Sequence, residues 1–153
     1  MSNPILFSNP RIRPSWDAYF MDIAKVVATR SPDPKKQVGC VIVDSNHRII
    51  STGYNGLVPG FDDSIFYKEN DREKLRKYIL HAEVNALIYS KCDLSQCTLY
   101  TTTSPCTECL KNILSSGIKT VFFLEKYKDF DETDELCKKF GINLFWYQLI
   151  QEI

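Results

Sequence analysis

Trp16, Tyr19, Phe20, Ile23, Ala24 and Val27 recur with the spacing of one apolar helical face, and Ser15 stands in front as an N-cap, so the pattern predicts a helix over 16–30. Pro32 disfavours helical geometry at Ser31 and ends it. The stretches 38–43 and 48–52 are β-rich and are joined by the polar turn Asp44-Ser45-Asn46-His47, which reads as an antiparallel hairpin. Gly56, Pro59 and Gly60 among polar residues make 55–63 a loop. Eight of the ten residues 68–77 are charged, the pattern of a solvated helix face or an exposed insertion, with phosphate binding as the functional alternative.

Further on, the alternation of patterns predicts a short helix over 82–90, a strand over 97–102 and a helix over 106–116 that stops at Gly117. A strand over 119–124, a helix over 132–140 ending at Gly141 and an apolar, aromatic-rich strand over 143–149 complete the chain. Strands separated by helices need crossover connections, so the last three should run parallel while the opening hairpin is antiparallel. The expected class is α/β: a three-layer α-β-α arrangement around a mixed five-stranded sheet.

Length and charge narrow the picture. A chain of 153 residues fits one domain, 1–153, and such a domain buries roughly 70% of its unfolded surface. With 44% apolar residues, intrinsic disorder is excluded as the main state. The 19 Lys+Arg balance the 19 Asp+Glu, so no basic excess draws the chain to phosphate backbones, and no nucleic-acid partner is expected. No apolar run reaches the roughly 18–20 residues of a membrane span, and Met1-Ser2-Asn3-Pro4 lacks the pattern of a signal peptide, so the expectation is a cytoplasmic protein without a membrane partner. Six cysteines in that compartment suit metal binding or catalysis better than a disulfide framework.

The chemistry concentrates in two short motifs, His81-Ala82-Glu83 and Pro105-Cys106-Thr107-Glu108-Cys109, each opening a predicted helix. Cysteines three apart at a helix start share a face, and the positive helix end favours thiolate. With the imidazole of His81 they form a three-donor set suited to Zn²⁺, leaving a fourth tetrahedral position for water. Glu83 stands two residues from His81 and can move that water's proton without binding the metal. The structural alternative is a closed zinc site completed by Cys92, Cys97 or Cys137, which leaves Glu83 without a role.

H-x-E followed by P-C-x-x-C is the signature of zinc nucleobase deaminases. Together with Trp16-Asp17-Ala18-Tyr19-Phe20-Met21, Arg30-Ser31, Gln37-Val38-Gly39-Cys40, Gly53-Tyr54-Asn55-Gly56 and Tyr127-Lys128-Asp129, it makes the chain resemble the deoxycytidylate (dCMP) deaminase family of the cytidine deaminase-like fold. The resemblance implies hydrolysis of dCMP to dUMP and ammonia, with Glu83 carrying protons while a metal-activated water attacks C4 of cytosine. It also implies that the Ala82 N–H meets the base O2, the Ser104 carbonyl the exocyclic amine, and Asn55 the 3′-hydroxyl, with Arg30 on the 5′-phosphate and Tyr127 closing over the base. Many family members are activated by dCTP with Mg²⁺ and inhibited by dTTP at a site between subunits, which here would involve Gly53, Tyr54, Asn55 and Gly56, and the resemblance implies a homohexamer.

Two departures qualify the transfer. Phe61 stands where relatives often place a cysteine and only His47 is left over, so no second zinc is expected; Lys128 replaces an Arg or His of relatives. Competing readings are a deaminase acting on dCTP as well as dCMP, a polynucleotide cytidine deaminase, and a zinc-stabilised nucleotide-binding module without turnover. Against the second stands Thr103, where the editing branch usually has an aromatic residue.

Overall fold

A computed structural model describes residues 11–148. The first helix, α1 (Trp16–Ala28), starts where Ser15 Oγ accepts the Ala18 N–H at 3.1 Å and buries Phe20, Met21, Ala24 and Ala28. It ends two residues before the predicted stop, where Thr29 turns its hydroxyl onto the Val26 carbonyl. The hairpin follows as β1 (Gly39–Val43) and β2 (Ile49–Tyr54), paired antiparallel. A two-residue strand, β3 (Gly56–Leu57), lies inside the predicted loop and pairs antiparallel with β4 (Ile79–Leu80). Strands this short carry no hydrophobic period, which is why the pattern missed them.

Between them α2 (Ile65–Lys68) ends on the first residue of the charged run and α3 (Arg72–Arg76) lies within it, with Leu75 buried beneath. The second half comprises α4 (Ala82–Tyr89), β5 (Thr98–Thr103), α5 (Thr107–Ser115), β6 (Thr120–Glu125), α6 (Phe130–Phe140) and β7 (Asn143–Trp146). The last strand is shorter than expected: residues 147 and 148 are already helical. Leu149 and Met1-Ser2-Asn3-Pro4 lie outside the described residues. No helix among the described residues is long and apolar enough to cross a membrane.

The main sheet has the order β2-β1-β5-β6-β7, with β1 antiparallel to β2 and β5, and β5, β6 and β7 parallel. Alternation along β1 divides the core. Val41 and Val43 pack with Phe20, Met21 and Ala24 of α1, whereas Cys40 and Ile42 pack with Ala82 and Ala86 of α4, Leu110 and Ile113 of α5 and Cys137 of α6. Helices therefore cover both faces, giving the expected three layers around a mixed five-stranded sheet.

Gly53 permits a close contact on the α4 side of the sheet. A Cβ there would lie 2.3 Å from the Ala82 carbonyl oxygen and 2.5 Å from the Ala86 nitrogen, so the start of α4 sits directly on β2. Gly53→Ala must push the backbone of α4 away. Overpacking against backbone is expected to cost about 3 kcal/mol, a melting-temperature fall of roughly 10 °C in thermal denaturation. Gly53 thus has a packing reason that is independent of any effector.

Candidate metal centre and active site

Each metal-type donor sits where a strand hands over to a helix. His81 follows β4 and occupies the N-cap position of α4 without capping it by its side chain; Cys106 follows β5 and is the N-cap of α5, its Sγ accepting the Cys109 N–H at 3.5 Å. The two helix starts point their positive ends at one place, at the carboxyl end of the parallel strands where α/β sheets bind ligands. His81 Nδ1 lies 3.2 Å from Cys109 Sγ and 3.5 Å from Cys106 Sγ. All three donor atoms fall within 4.8 Å of one another.

This donor set fits zinc: one borderline nitrogen and two soft sulfurs, close enough to share one ion, in the number that leaves a tetrahedral corner open. Cys97 and Cys137 are instead packed in the hydrophobic core, and Cys92 is exposed. None of the three belongs to the cluster.

The electrostatics prepare one of the two sulfurs, that of Cys106. The Cys109 thiol hydrogen bond lowers the Cys106 pKa to about 4, with His81 adding to the effect; the same bond raises that of Cys109. Its bond to Cys106 raises the pKa of His81. Glu83 is 4% exposed, and burial holds its carboxyl above the usual carboxylate range, opposed by its own backbone N–H and by His81. Thr101 Oγ1 lies 3.2 Å from Glu83 Oε1 and 2.9 Å from the Thr103 carbonyl. A carboxyl that can hold or release a proton thus faces the donor set from a dry wall.

A cleft of about 410 Å³ opens beside these groups. Asn55, Ala82, Ser104 and Tyr127 line it together with His81, Glu83 and Cys106. The Asn55 amide bridges backbone on two sides: Oδ1 accepts the Val38 N–H and Nδ2 donates to the Lys36 carbonyl, both at 2.8 Å. One N–H and one lone pair remain for a ligand. Ser104 Oγ accepts the Tyr127 N–H at 2.7 Å, which fixes Tyr127 to the metal loop. Tyr54, by contrast, offers its carbonyl to Asn85 and is exposed at the end of β2.

Arg30 is not brought to the cleft; it is exposed beyond the end of α1. The cleft's cations are Lys36, Arg72, Arg76 and Lys128. Arg72 forks onto Asp33, whose side chain is fully buried, with one bond of 3.1 Å and a shorter partner bond, while the Lys35 N–H adds 2.9 Å to the same carboxylate. Lys36 reaches Glu125 at 2.6 Å and Arg76 pairs loosely with Glu73 at 3.4 Å. Sequence reasoning missed Lys36 and Asp33; the charged run did carry the signal for Arg72 and Arg76.

A model of the cytidine and deoxycytidylate deaminase zinc-binding region matches residues 14–125. A probable deoxycytidylate deaminase of Caenorhabditis elegans is 47% identical over 109 residues, 69% of this chain and 55% of that protein. The deoxycytidylate deaminase of Homo sapiens is 41% identical over 123 residues, 76% of this chain and 69% of its own length. Among solved structures, the dCMP deaminase of cyanophage S-TIM5 superposes with a TM-score of 0.71 at 26% identity, covering 88% of this chain and 99% of that one. A second structure of that phage enzyme holds dCMP and dUMP.

Proposed function

The chain belongs to the cytidine and deoxycytidylate deaminase family, and from that premise we propose that it hydrolyses dCMP to dUMP and ammonia, a step that feeds thymidylate synthesis. One observation carries the reading: the buried carboxyl of Glu83 stands beside a His-Cys-Cys donor set at the floor of a nucleotide-sized cleft. The likeness to deoxycytidylate deaminases, and the dCMP and dUMP held by the phage enzyme, support the choice of substrate.

His81, Cys106 and Cys109 would hold the zinc, which would supply Lewis acidity to lower the pKa of the attacking water towards ~7. Glu83 takes the proton from the attacking water and passes it to N3 of the ring, then takes the proton of the new C4 hydroxyl and hands it to the amine, which leaves as ammonia while the C4 carbonyl forms. The Ala82 N–H, at a helix start with no side-chain cap, is free to meet the base O2. The Ser104 carbonyl receives the exocyclic amine, and Asn55 uses its spare N–H or lone pair on the 3′-hydroxyl. Tyr127, held by Ser104, closes over the base.

For the 5′-phosphate, Arg76 and Lys128 at the cleft are better placed than Arg30, and Arg72 is already committed to Asp33. Arg76→Gln is expected to raise KM for dCMP roughly 10–100-fold, the worth of a charge-assisted hydrogen bond, with deoxycytidine turnover unchanged. Steady-state kinetics on the two substrates checks this; a parallel loss on both defeats it.

Residues 1–153 act in this reading as one catalytic unit on cytoplasmic deoxynucleotides. It extends to a homohexamer with dCTP–Mg²⁺ as activator and dTTP as inhibitor near Gly53, Tyr54, Asn55 and Gly56. Ammonia release from dCMP, dCTP and cytidine, measured side by side with and without effectors, tests the whole assignment. Equal rates on cytidine remove the phosphate contact, and no release from dCMP removes the function.

A further inference from the structure

Two buried side-chain oxygens have no hydrogen-bond partner among the described residues, Thr103 Oγ1 and Asp129 Oδ1, and both residues line the cleft that contains Glu83. Native structures hold few such groups, because a buried hydroxyl left unpaired is costly. Two of them in one cleft indicate partners that a bound molecule brings.

Thr103 is the more deeply enclosed, at 5% exposure. Side chains alternate along β5. Thr101 reaches Glu83, whereas Thr102 lies on the other face and accepts the Gly39 N–H at 3.1 Å. Thr103 therefore shares the Glu83 face, one residue before Ser104 and three before the donor Cys106. These neighbours carry the chemistry, so whatever meets the Thr103 hydroxyl belongs to the reacting end of the ligand.

We infer that Thr103 Oγ1 is a substrate contact that accepts a hydrogen bond from the 4-amino group of the cytosine ring, an inference that rests on the deaminase reading above. An amino group presents two N–H donors. The Ser104 carbonyl takes one, and once the ring fills the pocket the other needs an acceptor, which the orphaned, buried hydroxyl of the preceding residue provides. The contact distinguishes a ring bearing an amine from one bearing hydrogen at the same carbon.

The test uses zinc-loaded Thr103→Val and Thr103→Ser, with kcat and KM for dCMP, thermal melting, and inhibition by a pyrimidin-2-one deoxynucleotide carrying hydrogen at C4. Thr103→Val is expected to raise KM for dCMP roughly tenfold, the worth of one hydrogen bond, while the inhibitor constant stays within about twofold. Its melting temperature should equal or exceed wild type, because an unpaired group has been removed. Thr103→Ser should restore KM. An unchanged KM overturns the inference and leaves a trapped water as the hydroxyl's partner. A rise in KM matched by the inhibitor constant, or a lower melting temperature with no rescue by serine, also overturns it in favour of a structural role. If valine prevents folding, Thr103→Ala carries the same comparison. Loss of dCMP turnover by the wild type is a separate result and speaks to the function instead.

Discussion

Glu83→Gln is expected to lower dCMP turnover by about 10²–10⁴-fold, towards the upper end because one carboxyl serves successive proton transfers. Glutamine keeps the size and hydrogen-bonding capacity of the side chain, so Thr101 retains its partner at the Oε1 position and the packing of α4 is preserved. What is lost is the ability to take up and release a proton. Zinc content by elemental analysis and the melting temperature should therefore match wild type. The decisive measurement is ammonia release under single-turnover conditions, and unchanged turnover in this variant would remove Glu83 from the mechanism. A parallel loss of zinc would recast it as a metal ligand or its support.

Cys106→Ser should act on a different quantity. Serine is a good N-cap, so the hydroxyl can still receive the Cys109 N–H and the start of α5 should survive. The thiolate donor is gone, and zinc binding should collapse with it, taking activity below detection. A metal bound at a thousandfold over its Kd stabilises by about 4 kcal/mol, so the melting temperature should fall by roughly 8–16 °C. Chelation of the wild type should reproduce both effects, and added Zn²⁺ should reverse them there but not in the variant. Retention of a full equivalent of zinc by Cys106→Ser would show that the donor set is wrong.

The helices and main strands were readable because each carries a strong local period. Observed ends of α1, α4, α5 and α6 fall within two residues of those predicted from Ser15, Pro32, Gly117 and Gly141. The metal set was readable for another reason: His81, Cys106 and Cys109 are a few residues of rare type, and their chemistry depends on identity more than on context. The phosphate end is the opposite case. Lysines and arginines are common on any surface, and only the fold reveals that Arg76 and Lys128 line the cleft while Arg30 does not. The Asp33–Arg72 fork spans 39 residues of chain and joins a proline-flanked turn to a charged run, neither of which has a pattern naming the other. The orphaned hydroxyl of Thr103 is likewise invisible in a row of threonines, since being unpaired is a property of the pocket.

That fork clasps the turn containing Asp33 to α3, and neither segment supplies a metal donor. Under the proposed function, the wall of the cleft that carries Arg76 is thereby braced by parts of the chain separate from the zinc donors, whereas the contacts to the base at Ala82, Thr103 and Ser104 stay beside those donors.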